Sequence, residues 1–435
     1  MRTILAAVLA VCSLLAPAGA HAKIVLDKVV IFSRHGVRPP TDQKALDPLS
    51  LDPWPAWPVP DGNLTPHGAT AAILMGLNYR ILYLGPGFLE PSSCPGSGEL
   101  FAFADKVERT RATAGAILSG MFPGCGLQPG SDPKTADALF HPVKAGIAPL
   151  DEEAAKAQVL AAMGGSLEAA KARYAPDFAN LAKVLHGPDR ETCAKEGLGK
   201  VCRLIDLTWS IDTDKSKGRD LSIKGPLEMA STVAEVIRLE YSGGLPADKV
   251  GWGRVKNAED VKTLLALHKA QYDVTLRTPY MAKRNASQLL NQIALALKEG
   301  TDLETAGEAG PPPAKLVLLV GHDTNIAPMQ AALGVSWSLA GYPENDTPPG
   351  GALVFERLRD TGTGERYVRL VYTAQTMDQI RNLSPPSREA APERAVLALP
   401  GCPPAEVPDT CRLKDFVEIV GSRIDRTALA PLSWR

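Results

Sequence analysis

The stretch Val29-Val30-Ile31-Phe32-Ser33-Arg34-His35-Gly36-Val37-Arg38-Pro39-Pro40-Thr41 sets an apolar, β-branched run directly against Arg-His-Gly. The run reads as a buried strand that delivers a cationic loop at its carboxyl end. Gly36 permits backbone geometry that a β-carbon would forbid, and Pro39 and Pro40 stiffen the exit. Arg34, His35 and Arg38 are therefore expected to be held in place. Two guanidiniums beside one imidazole make an anion trap. Arginine's planar fork matches phosphate oxygens, and the neighbouring positive charge disfavours protonation of His35, leaving a ring nitrogen free as a nucleophile.

The pattern recurs twice. The apolar run at 100–104 leads into Asp105-Lys106-Val107-Glu108-Arg109-Thr110-Arg111, and the run at 315–320 stops at Gly321-His322-Asp323-Thr324-Asn325. In open α/β sheets ligands bind beyond the carboxyl ends of the strands, so the ends carrying Arg34-His35, Arg109 and His322-Asp323 are expected to converge on one crevice.

The rest of the chain surrounds these three runs. Residues 47–60, dense in proline and tryptophan, read as an ordered loop packed by Trp54 and Trp57. Thr65-Pro66 is an N-cap with proline at the first helical position, and Ile73, Leu74, Leu77, Ile81 and Leu84 follow at helical spacing. His67, in the first turn, is open between a helix-start histidine and a substrate contact. Alanine-rich segments at 152–163 and 228–240 mark residues 150–257 as an inserted helical domain. Two further helices are expected within 259–299, belonging either to that insertion or to the sheet. Residues 307–313 read as a linker, and 352–358 with 367–372 as an antiparallel hairpin at the sheet edge. The expected fold is α/β, a mainly parallel sheet flanked by helices. Residues 23–149 and 258–435 form its catalytic domain, with 150–257 inserted.

At 435 residues the chain exceeds one ordinary domain, and its formal net charge of −1 suggests neither a nucleic-acid-binding nor a membrane-surface protein. Arg2, the apolar residues 4–15 and the small-residue sites Ala18-Gly19-Ala20 and Ala20-His21-Ala22 read as a signal peptide over 1–22. That run is too short to span a bilayer, so a soluble, periplasmic or secreted product is expected. Of seven cysteines, Cys12 leaves with the signal. The six that remain fit three disulfides, and fifteen pairings are open to them. Pairing nearest neighbours is the simplest. Zinc is the rival, but no pair has Cys-x-x-Cys or His-x-x-x-His spacing.

Together these residues resemble the histidine acid phosphatases, in particular the bacterial periplasmic branch with phytases and glucose-1-phosphatases. The likeness is carried by Arg34-His35-Gly36-Val37-Arg38-Pro39-Pro40, Trp54-Pro55-Ala56-Trp57-Pro58, Leu64-Thr65-Pro66, Glu108-Arg109-Thr110-Arg111, Gly321-His322-Asp323-Thr324-Asn325 and Pro348-Pro349-Gly350-Gly351, in that order. It covers nearly the whole mature chain. The resemblance implies the pairs Cys94 with Cys125, Cys193 with Cys202 and Cys402 with Cys411. A further C-terminal bridge common in relatives is missing, because Gly146-Ile147-Ala148 and the tail at 430–435 have no cysteine. The resemblance also singles out Arg109 as a phosphate ligand with Arg111 in support, and adds Thr41 to the phosphate site. In phytase-type members a lysine usually follows the threonine matching Thr41, whereas this chain has Asp42. An acidic rim residue repels the extra phosphates of an inositol phosphate. His268, Lys283 and Arg284 are the other candidates for substrate specificity.

The function expected is an acid phosphomonoesterase. His35 attacks phosphorus, Arg34, Arg38, Arg109 and His322 share the charge of the phosphoryl oxygens, and Asp323 protonates the leaving group. An ordinary aspartic acid titrates at about 3.9, so this needs acid or a site that raises the value. No metal or other cofactor is expected, because the arginines supply the charge. The substrate is a small phosphate monoester, phytate included, with glucose 1-phosphate or another sugar phosphate as the alternative, and the protein is expected to be a monomer. A periplasmic binding protein for phosphorylated solutes is an alternative of another class; Asp323 opposes it, since a carboxylate weakens binding of a dianion.

Overall fold

The computed structural model describes residues 23–435 except 86, 134–136, 213–221, 306, 308, 433 and 435; the expected signal peptide at 1–22 lies outside the described residues. β1 (Ile24–Arg34) buries its last seven residues, as β-branched residues covered on both faces should. The loop after it is pinned by Trp54, whose Nε1 donates to Leu46 O at 2.9 Å and whose ring packs on Trp252. α1 (Pro66–Tyr83) starts where Thr65 Oγ1 accepts from Gly68 N at 2.9 Å. β2 (Leu100–Ala104) then runs into α2 (Glu108–Met121).

Two glycines set how α2 lies on α1. A β-carbon on Gly76 would fall 2.1 Å from Ile117 O, and one on Gly120 would fall 2.0 Å from Ile73 O. Only hydrogen fits at either point, and this close approach fixes the carboxyl-terminal part of α2 against α1.

The helical stretch comprises α3 (Glu152–Ala162), α4 (Leu167–Leu181), α5 (Arg190–Lys195), the ribbon of β3 (Ser210–Asp212) and β4 (Ser222–Lys224), and α6 (Pro226–Ser242). α7 (Ala258–Thr275) and α8 (Pro279–Lys298) come next. A single apolar cluster runs from Phe32 and Leu319 in the sheet through Leu289 of α8 and Leu264 of α7 to Val233 of α6 and Phe178 of α4. The helices at 258–298 thus pack on both the sheet and the preceding helices α4 and α6.

The chain closes with β5 (Leu316–Gly321), α9 (Asp323–Leu333), β6 (Ala352–Asp360), β7 (Arg366–Ala374), α10 (Met377–Arg381), β8 (Glu393–Leu397), β9 (Cys411–Arg412) and α11 (Leu413–Arg423). The sheet order is β2-β5-β1-β6-β7-β8, with β9 also on β7. β1, β2, β5 and β7 run one way and β6, β8 and β9 the other. The α/β sheet flanked by helices is as expected. The hairpin of β6 and β7 is antiparallel as expected, but it lies inside the sheet and not at its edge, because β8 and β9 pair with β7.

Strand register brings the charged ends together. Arg34 pairs with Gly321 and Ala104 with Val320, so β1, β5 and β2 end flush, side by side. The disulfides join Cys94 to Cys125, Cys193 to Cys202 and Cys402 to Cys411, the pairing the resemblance implied. Among the described residues no helix is long and apolar enough to cross a membrane.

Candidate active site

His35 leaves β1 buried, 1 % exposed. Its ring Nδ1 lies 2.9 Å from Gly36 O. A carbonyl can only accept, so Nδ1 carries the proton and Nε2 keeps its lone pair. Burial first, then Arg109, Arg38 and Arg34, hold the ring well below the ordinary histidine value. The loop carrying it is clamped: Gly36 N donates to Thr113 Oγ1 of α2 at 2.9 Å, and a β-carbon on Gly36 would meet Leu64 Cδ1 at 2.9 Å. Gly36 is therefore needed for close approach to its neighbours.

Arg34 and Arg38 differ in their duties. Arg38 is half-buried in the cleft wall, with Nη1 donating to Pro39 O at 2.8 Å. Arg34 is fully buried behind the wall. It donates to Thr347 O at 2.5 Å and pairs with Glu235 and with Asp323, the latter at 2.9 Å. Arg109, on α2, reaches Gly62 O at 3.5 Å and has its Nε buried without a partner in the structure. Burial and then the Arg38 charge push Arg109 down to about 10, so it remains a cation throughout acid and neutral pH.

The β5 end supplies His322 and Asp323. The His322 backbone donates to Asn325 Oδ1 at 3.0 Å, while Asn325 Nδ2 donates to Phe140 O at 2.7 Å, tying the 140 loop to α9. His322 Nε2 lies 2.6 Å from Asp105 Oδ2, and His141 Nε2 lies 3.0 Å from the same oxygen. Histidine hydrogen bonds hold Asp105 below the carboxylate range against the cost of burial. Asp105 is thus an acceptor, and His322 donates from Nε2. Burial is the main cause that brings His322 down to about 4, with Arg109 adding to it. The His322 ring meets that of His35 edge-on, centroids 5.5 Å apart.

Asp323 differs from expectation in one respect. Burial alone would raise it, but Arg34, His35, His268 and Arg38 outweigh burial and hold it well below the ordinary value. The free site does not raise this carboxyl; it stores it as a carboxylate. The physical reason is the Arg34 pair.

These groups share one cleft of about 700 Å³, walled by His35, Arg38, Thr41, Asp42, Asp105, Arg109, His141, Glu235, His268, His322 and Asp323 among others. Asp42 is exposed at its rim and accepts from Ala45 N at 3.1 Å. His268 is buried in the wall and lies 3.0 Å from Ser231 Oγ. Two candidates fail to reach the cleft. Lys283 is exposed and not in its wall. Arg284 faces the C-terminal segment, donating to Asp425 Oδ2 at 2.8 Å and Pro149 O at 2.8 Å. Both sit on α8, which enters the cleft wall at Asn285, but neither side chain is itself part of that wall. His67 Nε2 lies 2.8 Å from Ile380 O and outside the cleft, and Arg111 is exposed outside it.

Four residues of the site escape a reading of the sequence. Asp105 carried a signal, being the first residue beyond the second strand. His141 follows an unremarkable Leu139-Phe140. Glu235 and Arg238 of α6 join Arg34 to Asp346, with Arg238 Nη1 to Asp346 Oδ2 at 2.7 Å. Arg238 and then Arg34 bring Glu235 down to about 2 despite burial. Nothing in the sequence of α6 announces that network.

A neutral imidazole, two cleft-facing guanidiniums and a third behind them, with a carboxylate in the same cleft wall, suit the chemistry of a tetrahedral oxyanion. Comparison with known proteins points the same way. Residues 25–373 match the histidine phosphatase superfamily (branch 2). The chain is 34% identical to the phytase AppA of Escherichia coli (strain K12) over 428 residues, covering 97% of this chain and 98% of that one. It is 32% identical to a glucose-1-phosphatase of Providencia rettgeri, covering 93% of this chain and 94% of that one. Among solved structures, the Hafnia alvei phytase in complex with myo-inositol hexakis sulphate superposes with a TM-score of 0.83 at 35% identity, covering 96% of this chain and 100% of that one.

Proposed function

The chain belongs to branch 2 of the histidine phosphatase superfamily, and from that premise we propose that His35 carries the phosphoryl group during hydrolysis and that phytate is among the substrates. The enzyme is a phosphomonoesterase of that family. One observation carries the mechanistic reading: the bond from His35 Nδ1 to Gly36 O leaves Nε2 bare and neutral beside Arg38 and Arg109.

In this reading His35 Nε2 bonds to phosphorus as the ester oxygen departs in line. Arg38, Arg109 and His322 take the equatorial oxygens from the cleft side, and Arg34 steadies them from behind. The incoming phosphate draws Arg34 and loads the site with negative charge, which lifts Asp323 until it holds a proton. That proton goes to the leaving oxygen. Water then attacks phosphorus, Asp323 takes its proton back, the N–P bond breaks and inorganic phosphate leaves.

Phytate is supported by the relatives, several of which are named phytases, and by a cleft large enough for a polyphosphorylated ring. Asp42 in the cleft wall supports the second reading, a sugar-phosphate phosphatase such as one for glucose 1-phosphate, because its charge opposes a second phosphate at the rim. Residues 150–257 act in this proposal as an inserted cap, supported by Ser231, Thr232 and Glu235 of α6 in the cleft wall. Export is supported by the apolar run at 4–15 and by the three disulfides. Phosphate release from phytate and from glucose 1-phosphate, compared as kcat/KM, tests the substrate. Turnover of phytate at a rate comparable to the sugar phosphate is expected, and no release from phytate contradicts the proposal.

A further inference from the structure

Asp105, His141 and His322 bring three metal-ligating atoms to one point of the cleft wall. Oδ2 of Asp105 lies 2.6 Å from His322 Nε2 and 3.0 Å from His141 Nε2, and all three atoms fall within 4.8 Å of one another. We propose that this cluster is an inhibitory site for a zinc-like divalent transition metal. The inference rests on the proposed role of His322 as a phosphate ligand.

The donor set selects the ion. Two imidazoles and one carboxylate suit zinc and its neighbours, whereas magnesium and calcium prefer oxygen cages. Zinc bonds of about 2.0–2.2 Å at tetrahedral angles place ligand atoms roughly 3.3–3.5 Å apart, so the two contacts need to open by less than about 1 Å. His141 is the most exposed member, its side chain 28% exposed against 2% for Asp105 and 7% for His322, so it has the most room to move apart. Each histidine bond to the metal displaces the Nε2 proton now given to Asp105, which leaves to solvent or moves to Nδ1 of the same ring.

Three protein ligands leave one tetrahedral position, and all three residues line the cleft. A phosphate oxygen there is the ligand at hand. Phosphate bonded at once to the metal and to Arg38 and Arg109 leaves more slowly, so an occupied site slows turnover. Arg109 opposes the dication, and the ionised Asp105 offsets that repulsion at bonding distance.

The test uses zinc and p-nitrophenyl phosphate, which lacks the chelating array of phytate, at pH 6 with wild type, His141→Asn and His141→Leu. Two replacements, each checked by thermal unfolding, guard against a misfolded variant. Calorimetry should show one zinc equivalent in wild type, bound at least about tenfold more weakly in both variants. Zinc should slow wild-type turnover, with the half-inhibiting concentration rising in step in the variants, and magnesium should do neither. Equal zinc affinity in wild type and variants overturns the site, and zinc bound without slower turnover overturns its inhibitory role. Wild-type turnover without metal reads the phosphatase proposal separately; were it absent, that proposal fails while the calorimetry still decides the metal site.

Discussion

Arg34 Nη2 lies 2.9 Å from Asp323 Oδ2 and also binds Glu235, so the proposed proton donor rests as a carboxylate tied to a buried guanidinium. The same arginine lies behind the wall of the proposed anion site and at the edge of the Glu235–Arg238–Asp346 network. Removing it leaves buried charges uncompensated, which is the expensive way to break an ion pair.

Arg34→Met should therefore destabilise the protein by about 3–5 kcal/mol in urea unfolding. The Asp323 value is depressed in the fold. Its share of stability is thus fully present above the ordinary carboxylate range and is lost only as pH falls through the lower folded value. The difference between wild type and variant should consequently persist from neutral pH down to about pH 4. A difference that vanished already at pH 6 would mean that the Arg34 pair does not stabilise the carboxylate.

His322 stands at about 4 in the free protein, with Nε2 bound to Asp105. To donate to a phosphate oxygen from Nδ1 it must become an imidazolium, so anion binding raises its value and takes up a proton. Titrating inorganic phosphate at pH 6 in buffers of different ionisation enthalpy should show uptake of about two protons per site beyond that owed to phosphate itself, one on His322 and one on Asp323. Asp105→Asn should remove the His322 share of that uptake and cost about 10²-fold or more in kcat, the loss typical of one transition-state donor. Uptake unchanged in Asp105→Asn would refute the coupling.

Asp323→Asn should slow alkyl phosphates far more than p-nitrophenyl phosphate, whose leaving group needs little help from a proton. The ratio of the two kcat losses is the measurement, and about 10²-fold or more is expected. Equal slowing would assign Asp323 to binding alone.

At the rim, Asp42→Lys should lower KM for phytate and leave glucose 1-phosphate nearly unchanged. The new residue gives up the bond from Ala45 N to Asp42 Oδ1, so a small loss of stability accompanies the gain. Arg284→Ala should do the reverse, keeping KM while costing about 1–3 kcal/mol, because it strips partners from Asp425, Thr427 and Pro149. A phytate KM that rose in Arg284→Ala would return that residue to the substrate.

What could be read from the sequence was local. Each of the runs that became β1, β2 and β5 announces itself by apolar residues ending at charge, and a rule of α/β sheets brings such ends together. The contacts that tune the site are long-range and carry no such mark. Arg34 meets Glu235 across 201 positions, and His322 meets Asp105 across 217. Helical spacing likewise places Arg284 on α8 without saying that its face turns to the C-terminal segment. The hairpin strands form as expected, but two residues at Cys411–Arg412 and five at Glu393–Leu397 are too short to be seen as the strands that extend the sheet beyond it.

The covalent step at His35 is tested most directly by quenching turnover of radiolabelled p-nitrophenyl phosphate in alkali, which preserves an N–P bond, and mapping the label by mass spectrometry. The label should sit on the peptide that carries His35, survive base, be lost in acid, and be absent from His35→Ala, which should show no turnover. Acid-stable label on another residue, or turnover by His35→Ala within about tenfold of wild type, would contradict the account.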